Sequence, residues 1–146
     1  IPIFGFKTKG YWRDVGNLDE YIEANMDALR GKLNYIKATD NKGNCISKSA
    51  KTEKGDVIEN SILGDKVYIG KDSVIKNSVL WNNVRVDMNS KLHFDVVGSN
   101  CSIGQGSRIN DYVFIGNNCS IGKNVYISSS IKIWDNKHIE NNEKVT

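Results

Sequence analysis

The residues of this sequence that are best suited to chemistry lie near its start, in the segment Gly10–Gly16 (GYWRDVG). Asp14 supplies a carboxylate there, and carboxylate oxygens are ligands that a hard cation prefers. An aspartate just ahead of a predicted helix is equally typical of a turn, and its spacing alone favours that structural role. Trp12 and Tyr11 are expected to pack against the protein rather than to contact a ligand.

The histidines and cysteines indicate no catalytic role. His93 is predicted at an exposed corner and His138 near the end of the chain, and neither is placed as a general base should be. Two histidines also fall short of a three-histidine zinc site. Cys101 and Cys119 are predicted to be reduced residues of the core. Three cysteines cannot pair completely, which favours a reducing compartment such as the cytoplasm.

The composition indicates a folded domain with neither a nucleic-acid nor a membrane partner. Of the 146 residues, 39% are hydrophobic and 25% are charged, which is sufficient for a core. The net charge is +3 and the basic residues form no run, so the sequence lacks the electrostatic footprint of a nucleic-acid-binding protein. No apolar stretch approaches the roughly 20 residues that a membrane-spanning helix needs.

A helix is predicted directly after the GYWRDVG segment. Asn17 can cap it, and Glu20 stands three residues later, as in a capping box. Gly31 can end it. Apolar residues recur between these limits at helical spacing, namely Leu18, Tyr21, Ile22, Met26, Leu29 and Leu33. The predicted helix at 18–30 therefore carries an apolar stripe that can cover another surface.

A six-residue repeat dominates the rest of the chain. Every sixth residue is aliphatic from Val97 to Val145, and the series extends upstream to Val57 with two steps of five residues. A longer period of 18 residues relates Val97–Gly104 to Ile115–Gly122. Three six-residue units per turn predict a three-sided coil of short parallel strands with stacked aliphatic side chains inside. Glycines such as Gly116 follow the aliphatic positions, where a corner could require positive φ.

These rows resemble the hexapeptide repeat of left-handed parallel β-helices, and the resemblance covers Val57–Thr146. The left hand comes from the resemblance, because the general preference for right-handed crossovers predicts the opposite. The predicted fold class is mainly β: a left-handed parallel β-helix of about five coils, preceded by a short α-helical remnant of an α/β domain.

A second resemblance concerns residues 10–29, GYWRDVGNLDEYIEANMDAL, which are similar to the end of the catalytic domain of sugar-1-phosphate nucleotidyltransferases. The segments Ser78–Val86 and Ile131–Glu140 resemble mannose-1-phosphate guanylyltransferase-type members, whereas Glu23–Asp27 resembles the glucose-1-phosphate adenylyltransferase branch. The glycine-rich nucleotide-binding loop of the family is absent, so the chain is expected to be a C-terminal fragment. The implied organisation is a catalytic-domain end at 1–31, a linker at 32–56 and the β-helix at 57–146.

The second resemblance implies a parent enzyme that makes an NDP-sugar and pyrophosphate from an NTP and a hexose 1-phosphate. In that parent, Asp14 would help to bind Mg²⁺, and Gly10, Trp12 and Gly16 would belong to the same motif. The fragment alone is expected to have no catalytic residue, no tightly bound metal and no activity. Its β-helix is expected to mediate self-association, because coil ends expose unpaired strand edges.

Two other functions remain open at this point. The first is a trimeric hexapeptide acyltransferase that uses CoA or an acyl-carrier thioester. Against it, the sequence shows no long loop excursion from the coils and no well-placed histidine. The second is a scaffold without catalytic activity.

Overall fold

The computed structural model describes residues 1–7, 9–33 and 38–146. Within these ranges one helix precedes eighteen short strands. The helix is α1 (Leu18–Leu29), and the strands are β1 (Cys45–Ile46), β2 (Lys51–Thr52), β3 (Val57–Glu59), β4 (Ile62–Leu63), β5 (Tyr68–Ile69), β6 (Val74–Lys76), β7 (Val79–Leu80), β8 (Arg85–Val86), β9 (Lys91–His93), β10 (Val96–Val97), β11 (Ser102–Ile103), β12 (Arg108–Ile109), β13 (Phe114–Ile115), β14 (Ser120–Ile121), β15 (Tyr126–Ile127), β16 (Lys132–Ile133), β17 (His138–Ile139) and β18 (Lys144–Val145).

Every third strand pairs in parallel, which winds the chain into a three-sided β-solenoid. Sheet A contains β1, β4, β7, β10, β13 and β16; sheet B contains β2, β5, β8, β11, β14 and β17; sheet C contains β3, β6, β9, β12, β15 and β18. The predicted mainly β, parallel β-helix with one preceding helix is confirmed. It has about six coils, one more than the sequence predicted.

The additional coil lies inside the segment 32–56, which the sequence predicted to be a linker. Strands β1 and β2 belong to sheets A and B, and Ile46 and Ala50 pack against the core. The periodicity is weak here because Thr52 stands opposite Ile69 in a position that is aliphatic in later coils. The solenoid therefore begins before the predicted boundary at Val57. Residues 34–37 of the predicted linker lie outside the described residues.

The core is formed by one aliphatic side chain on nearly every strand, together with valines and cysteines at the corners, namely Val67, Val84, Cys101, Val113, Cys119 and Val125. From β3 to β17 these residues are buried, and they are Ile58, Leu63, Ile69, Ile75, Leu80, Val86, Leu92, Val97, Ile103, Ile109, Ile115, Ile121, Ile127, Ile133 and Ile139. In the first of these positions the sequence prediction was wrong by one residue. Ile58 is buried where Val57 was expected, because Ile58 pairs with Ile75.

The coils differ in length. Cys45, Ile62, Val79 and Val96 stand opposite one another at intervals of 17 residues. Val96, Phe114 and Lys132 follow at intervals of 18 residues. The shorter coils contain three steps of five residues between core positions, not two, because the step from Ile58 to Leu63 is also short.

The corners are built mainly by asparagine. Nine of the fourteen described non-glycine residues with positive φ are asparagines, which tolerate the left-handed region better than most residues do. The predicted role of the repeat glycines was therefore wrong, because Gly104 and Gly116 are not among the glycines with positive φ. They are needed for close approach: a Cβ on Gly104 would lie 2.6 Å from the carbonyl oxygen of Gly122.

Two interior corners are polar: one contains Ser73, Ser90 and Ser107, and the other lies directly before the strands of sheet A. Asn44, Ser61, Ser78 and Asp95 are buried there on successive coils. Each side chain accepts a hydrogen bond from the backbone N–H of its counterpart in the next coil, which ends with Asp95 Oδ1 and the N–H of Val113 at 3.0 Å. Burial raises the pKa of Asp95 well above its ordinary value. The column stops where the coils lengthen, since Val113 takes the next position.

Candidate functional site

The helix α1 packs against one face of the solenoid, and the segment before it belongs to the same N-terminal unit. Ile22, Met26 and Leu29 of α1 pack against Val79 and Val96 on the outer side of sheet A. The apolar stripe predicted for this helix therefore covers the coil. Because burying an apolar side chain of this size contributes about 1.5–3 kcal/mol, this contact holds the helix, and with it the GYWRDVG segment, to the sheet.

The start of α1 is capped as the sequence predicted. The side-chain oxygen of Asn17 accepts a hydrogen bond from the backbone N–H of Glu20 at 2.8 Å. Asn17 has an extended backbone, with φ −147° and ψ 176°. This cap fixes the direction from which the segment Gly10–Gly16 enters the helix.

Asp27 is the centre of the polar contacts beneath that segment. Its side chain is 2% exposed, yet it is charged, and it lies 2.7 Å from Lys32 Nζ, 3.0 Å from the hydroxyl of Tyr11 and 3.1 Å from Arg13 Nη2. The hydrogen bond from Lys32 is the largest cause that lowers the pKa of Asp27, to about 2. Asp27 thus ties the segment before the helix to the residues after it.

Arg13 also connects the segment before the helix to α1. Its guanidinium donates to Glu20 Oε2 at 2.6 Å as well as to Asp27. The hydrogen bond to Glu20 is the main cause that raises the pKa of Arg13 above its ordinary value. Sequence reasoning missed both Arg13 and Asp27 as determinants of this site. The available signal was an aspartate next to the apolar stripe of a predicted helix, where burial requires a partner.

Asp14 takes no part in the contacts of Asp27 and Arg13 and lies at the surface. Asp14 is exposed, and it makes no hydrogen bond or ion pair with the described residues. It lines an open cavity of about 610 Å³ together with Trp12, Arg13, Asn17 and Lys32, among others. Gly10 and Gly16 are exposed at the two ends of the segment. Trp12 does not pack as expected, since it is 77% exposed.

The residues of the cavity do not by themselves form a Mg²⁺ site. A cation of this kind takes oxygen ligands, and three carboxylates line the cavity: Asp14, Glu20 and Asp27. The latter two are already paired with Arg13 and Lys32. In the described parts of the chain, no group of three His, Cys, Asp or Glu residues could hold a metal ion. Asp14 can offer one carboxylate, and no more.

A family model described as the GMPPB C-terminal domain matches residues 41–146. The match covers all six coils and begins just before β1. The chain belongs to this family. The match also starts within the segment predicted as linker, in agreement with the position of the first coil.

A short part of the chain is also similar in sequence to a curated enzyme. The chain is 59% identical over 29 residues to the glucose-1-phosphate adenylyltransferase of Anaeromyxobacter sp.. The matched part is 20% of this chain and 7% of that protein. Together with membership of the GMPPB C-terminal domain family, this match confirms the resemblance to the C-terminal part of sugar-1-phosphate nucleotidyltransferases.

Solved structures similar to this member of the GMPPB C-terminal domain family include acetyltransferases. The acetyltransferase domain of PglB from Neisseria gonorrhoeae is 14% identical, with TM-score 0.49, and the match covers 68% of this chain and 55% of that one. Perosamine N-acetyltransferase from Caulobacter crescentus is 15% identical, with TM-score 0.34, over 84% of this chain and 59% of that one. The chain spans little more than half the length of these proteins, and TM-scores below 0.5 carry no functional assignment.

The remaining predicted residues of this GMPPB C-terminal domain lie apart from the cavity. His93 Nδ1 is 2.6 Å from Asp111 Oδ1, and its Nε2 is 3.3 Å from Asn77 Nδ2. His138 lies on the last strand of sheet B. Cys101 and Cys119 are buried free thiols on adjacent coils, as predicted, and burial raises the pKa of Cys101 to about 11.

No helix in the described ranges has the length and apolar character needed to cross a bilayer.

Proposed function

We propose that this chain is the C-terminal assembly region of an enzyme that transfers a nucleotidyl group to a hexose 1-phosphate. In this reaction a phosphate oxygen of the sugar phosphate attacks the α-phosphorus of an NTP. A new P–O bond forms, the bond to the β-phosphate breaks, and the products are an NDP-sugar and pyrophosphate. The observation that carries the proposal is the match of residues 41–146 to the GMPPB C-terminal domain.

The nucleotide and the sugar are a narrower proposal. The segments Ser78–Val86 and Ile131–Glu140 resemble guanylyltransferase-type sequences, which supports GTP and mannose 1-phosphate. Glu23–Asp27 resembles the adenylyltransferase branch, and the matched relative from Anaeromyxobacter is named a glucose-1-phosphate adenylyltransferase. ATP and glucose 1-phosphate are therefore the second pair to test.

Asp14 is proposed to be one carboxylate ligand of Mg²⁺ in the complete enzyme, with the other ligands outside this chain. Its exposure and the absence of a hydrogen bond or ion pair to the described residues support this role, since a metal ligand must be free to bind. The isolated chain is proposed to be inactive and to have no tightly bound metal. The free thiols of Cys45, Cys101 and Cys119 support a reducing location, and we place the protein in the cytoplasm.

Pyrophosphate release by the full-length enzyme tests this proposal. With Mg²⁺ present, GTP plus mannose 1-phosphate and ATP plus glucose 1-phosphate are compared at saturating concentrations. The variant Asp14→Asn is expected to lower turnover by about 10²–10³, the loss typical when one electrostatic contact that stabilises a transition state is removed. The variant Asp72→Asn is the matched control. Asp72 is an exposed corner residue with positive φ, where asparagine fits equally well.

Three results would contradict the proposal. Near-normal turnover of Asp14→Asn would return Asp14 to the role of a turn residue. Equal losses in the Asp14 and Asp72 variants would indicate a general effect of charge. Transfer by the isolated 146 residues would mean that a catalytic site lies within the coils.

A further inference from the structure

In the segment before α1, side chains that are held to the helix alternate with side chains that are exposed. Tyr11 and Arg13 both donate hydrogen bonds to Asp27 Oδ2, at 3.0 and 3.1 Å. Trp12 and Asp14 occupy the alternate positions, and both are exposed. The contacts of Tyr11 and Arg13 with the helix therefore determine where the side chains of Trp12 and Asp14 can lie.

Arg13 makes the more specific of these contacts, because all three nitrogens of its guanidinium are engaged. Nη1 donates to Glu20 Oε2 at 2.6 Å, Nη2 to Asp27 Oδ2 at 3.1 Å, and Nε to the hydroxyl of Tyr11 at 3.3 Å. Glu20 and Asp27 are seven residues apart on α1, which places them about two turns apart on one face of the helix. The planar guanidinium bridges the two carboxylates in a way that the point charge of a lysine does not reproduce.

The helix that carries these carboxylates is fixed by the solenoid. Asp27 follows Met26, which packs with Val79 and Val96 of sheet A. The side chain of Asp27 is itself 2% exposed. Supporting side chains that are locked by packing hold a site more precisely than side chains on a loop do. Arg13 is therefore held to a rigid surface.

Stability alone does not require a charged group at this position of the helix. Taking a carboxylate out of water is costly, and a buried ion pair can often be replaced by apolar residues of similar volume without loss of stability. What the contacts between Arg13 and Asp27 add is a fixed geometry. The residue whose place this geometry fixes most directly is Asp14, because it is the next residue of the chain.

We propose that Arg13 is a positioning residue for Asp14. The inference rests on the function proposed above, in which the Asp14 carboxylate is a ligand of Mg²⁺. Arg13 holds its own backbone to α1, and Asp14 follows one peptide bond later at the edge of the cavity that both residues line. Arg13 acts through Asp14 rather than on the substrate, because each guanidinium nitrogen already donates a hydrogen bond.

A double-mutant cycle in the full-length enzyme tests this role. Arg13→Lys keeps the charge but removes the planar fork. Pyrophosphate release is measured against Mg²⁺ concentration for the wild type, Arg13→Lys, Asp14→Asn and the double variant. We expect Arg13→Lys to lower turnover about tenfold or more, since displacing a reacting group by about 1 Å can cost 10²-fold, and to raise the Mg²⁺ concentration at half-maximal rate. In the Asp14→Asn background, the same change should have no further effect.

The matched control is Arg85→Lys. Arg85 also donates to a carboxylate, Asp87 Oδ1 at 2.9 Å, but it lies on β8 of sheet B. Turnover and Mg²⁺ dependence should therefore stay at the wild-type level in this variant. Metal binding is measured separately from activity, by electron paramagnetic resonance of Mn²⁺ with the full-length enzyme and its NDP-sugar in the absence of pyrophosphate. Arg13→Lys should weaken Mn²⁺ binding about tenfold, and Arg85→Lys should not change it.

The outcomes separate this inference from the proposed function. Equal losses from Arg13→Lys in both backgrounds, or unchanged Mn²⁺ binding, would overturn the positioning role and leave Asp14 as a metal ligand. Wild-type turnover of Arg13→Lys would overturn it as well. Near-normal turnover of Asp14→Asn would contradict the metal-binding role of Asp14, and the inference with it. A general loosening of α1 would lower the turnover of Asp14→Asn further, and would thus count against the inference as an additive loss.

Discussion

The solenoid and the segment that precedes it are stabilised in different ways. In the solenoid, each strand repeats one inward aliphatic position, and the core from Ile58 to Ile139 is apolar on nearly every strand. In residues 10–33, Asp27 contacts four polar side chains, which come from both sides of α1. The first region distributes its stability over many equivalent positions, whereas the second concentrates it on one buried carboxylate.

This difference indicates where each region can vary. A repeat tolerates substitutions at its exposed positions. It does not tolerate them at inward positions, because every inward side chain touches the coils above and below. The N-terminal unit depends on one charge, and its exposed residues Trp12 and Asp14 are free of that task. The contacts of Asp27 therefore fix this segment from below and leave the side chains of Trp12 and Asp14 exposed.

The largest expected effect comes from a charge in the core of the solenoid. Ile121→Asp would bury a carboxylate without a partner at a site that is 2% exposed, and a loss of about 4–5 kcal/mol or more in the free energy of unfolding is expected. Ser120→Asp is the control, because Ser120 lies on the same strand and faces outward. Urea unfolding measures both. Equal stability of the two variants would show that the inward assignment is wrong.

The next largest loss of stability is expected for a glycine of the solenoid, and a glycine of the N-terminal unit serves as its control. Gly104→Ala would place a methyl group 2.6 Å from the Gly122 carbonyl, and overpacking of this kind costs about 1–3 kcal/mol. Gly16→Ala meets nothing within 4 Å, and its φ is not positive, so a change within about 0.5 kcal/mol is expected. Thermal unfolding of both variants tests the difference. A tolerated Gly104→Ala would show that adjacent coils can move apart.

The repeat could be predicted from sequence because it is local and regular. Aliphatic residues at six-residue intervals place one side chain inward per strand, and no distant contact is needed to recognise them. The prediction failed where a local signal is missing. Thr52 occupies a core column without being aliphatic, and adjacent Val57 and Ile58 are equally apolar, so pairing with Ile75 decides between them.

The candidate site was less predictable, because its geometry depends on contacts between distant residues. Tyr11 and Asp27 are 16 residues apart, and nothing in the spacing of Tyr11, Arg13 and Lys32 shows that they meet at one carboxylate. Asp14 was singled out by resemblance alone. The structure adds that it is exposed and uncommitted, and the metal-binding role remains a proposal.

A smaller effect is expected for Asp27, confined to the N-terminal unit. Asp27→Asn keeps the shape but leaves Lys32 without its anion and leaves Arg13 with Glu20 as its partner. Because those cations are partly exposed, the loss should be about 2 kcal/mol, between the values for exposed and buried pairs. Glu23→Gln on the same helix removes an exposed pair at 3.5 Å and should change little. Hydrogen exchange of α1 amides measures both variants.

The same carboxylate makes the N-terminal unit sensitive to acid. The pKa of Asp27 is lowered from 3.8 to about 2 in the folded protein, so its contribution is complete above pH 4 and is lost as the pH falls towards 2. Protection of α1 should therefore decrease over this range in the wild type and stay constant in Asp27→Asn. Identical pH profiles would contradict the role of Asp27.

The smallest expected effect is that of Asp14→Asn, which distinguishes the exposed Asp14 from the buried Asp27 of the N-terminal unit. Asp14→Asn should change the free energy of unfolding by less than about 0.5 kcal/mol, because Asp14 is exposed and touches no polar partner among the described residues. Protection of α1 from hydrogen exchange should also stay at the wild-type level, in contrast to Asp27→Asn. A loss above about 1 kcal/mol would mean that Asp14 supports the turn, and the case for it as a free metal ligand would then fall. An unchanged fold, by contrast, makes any loss of turnover in the full-length variant attributable to chemistry at the carboxylate, because the surface that carries it would be intact.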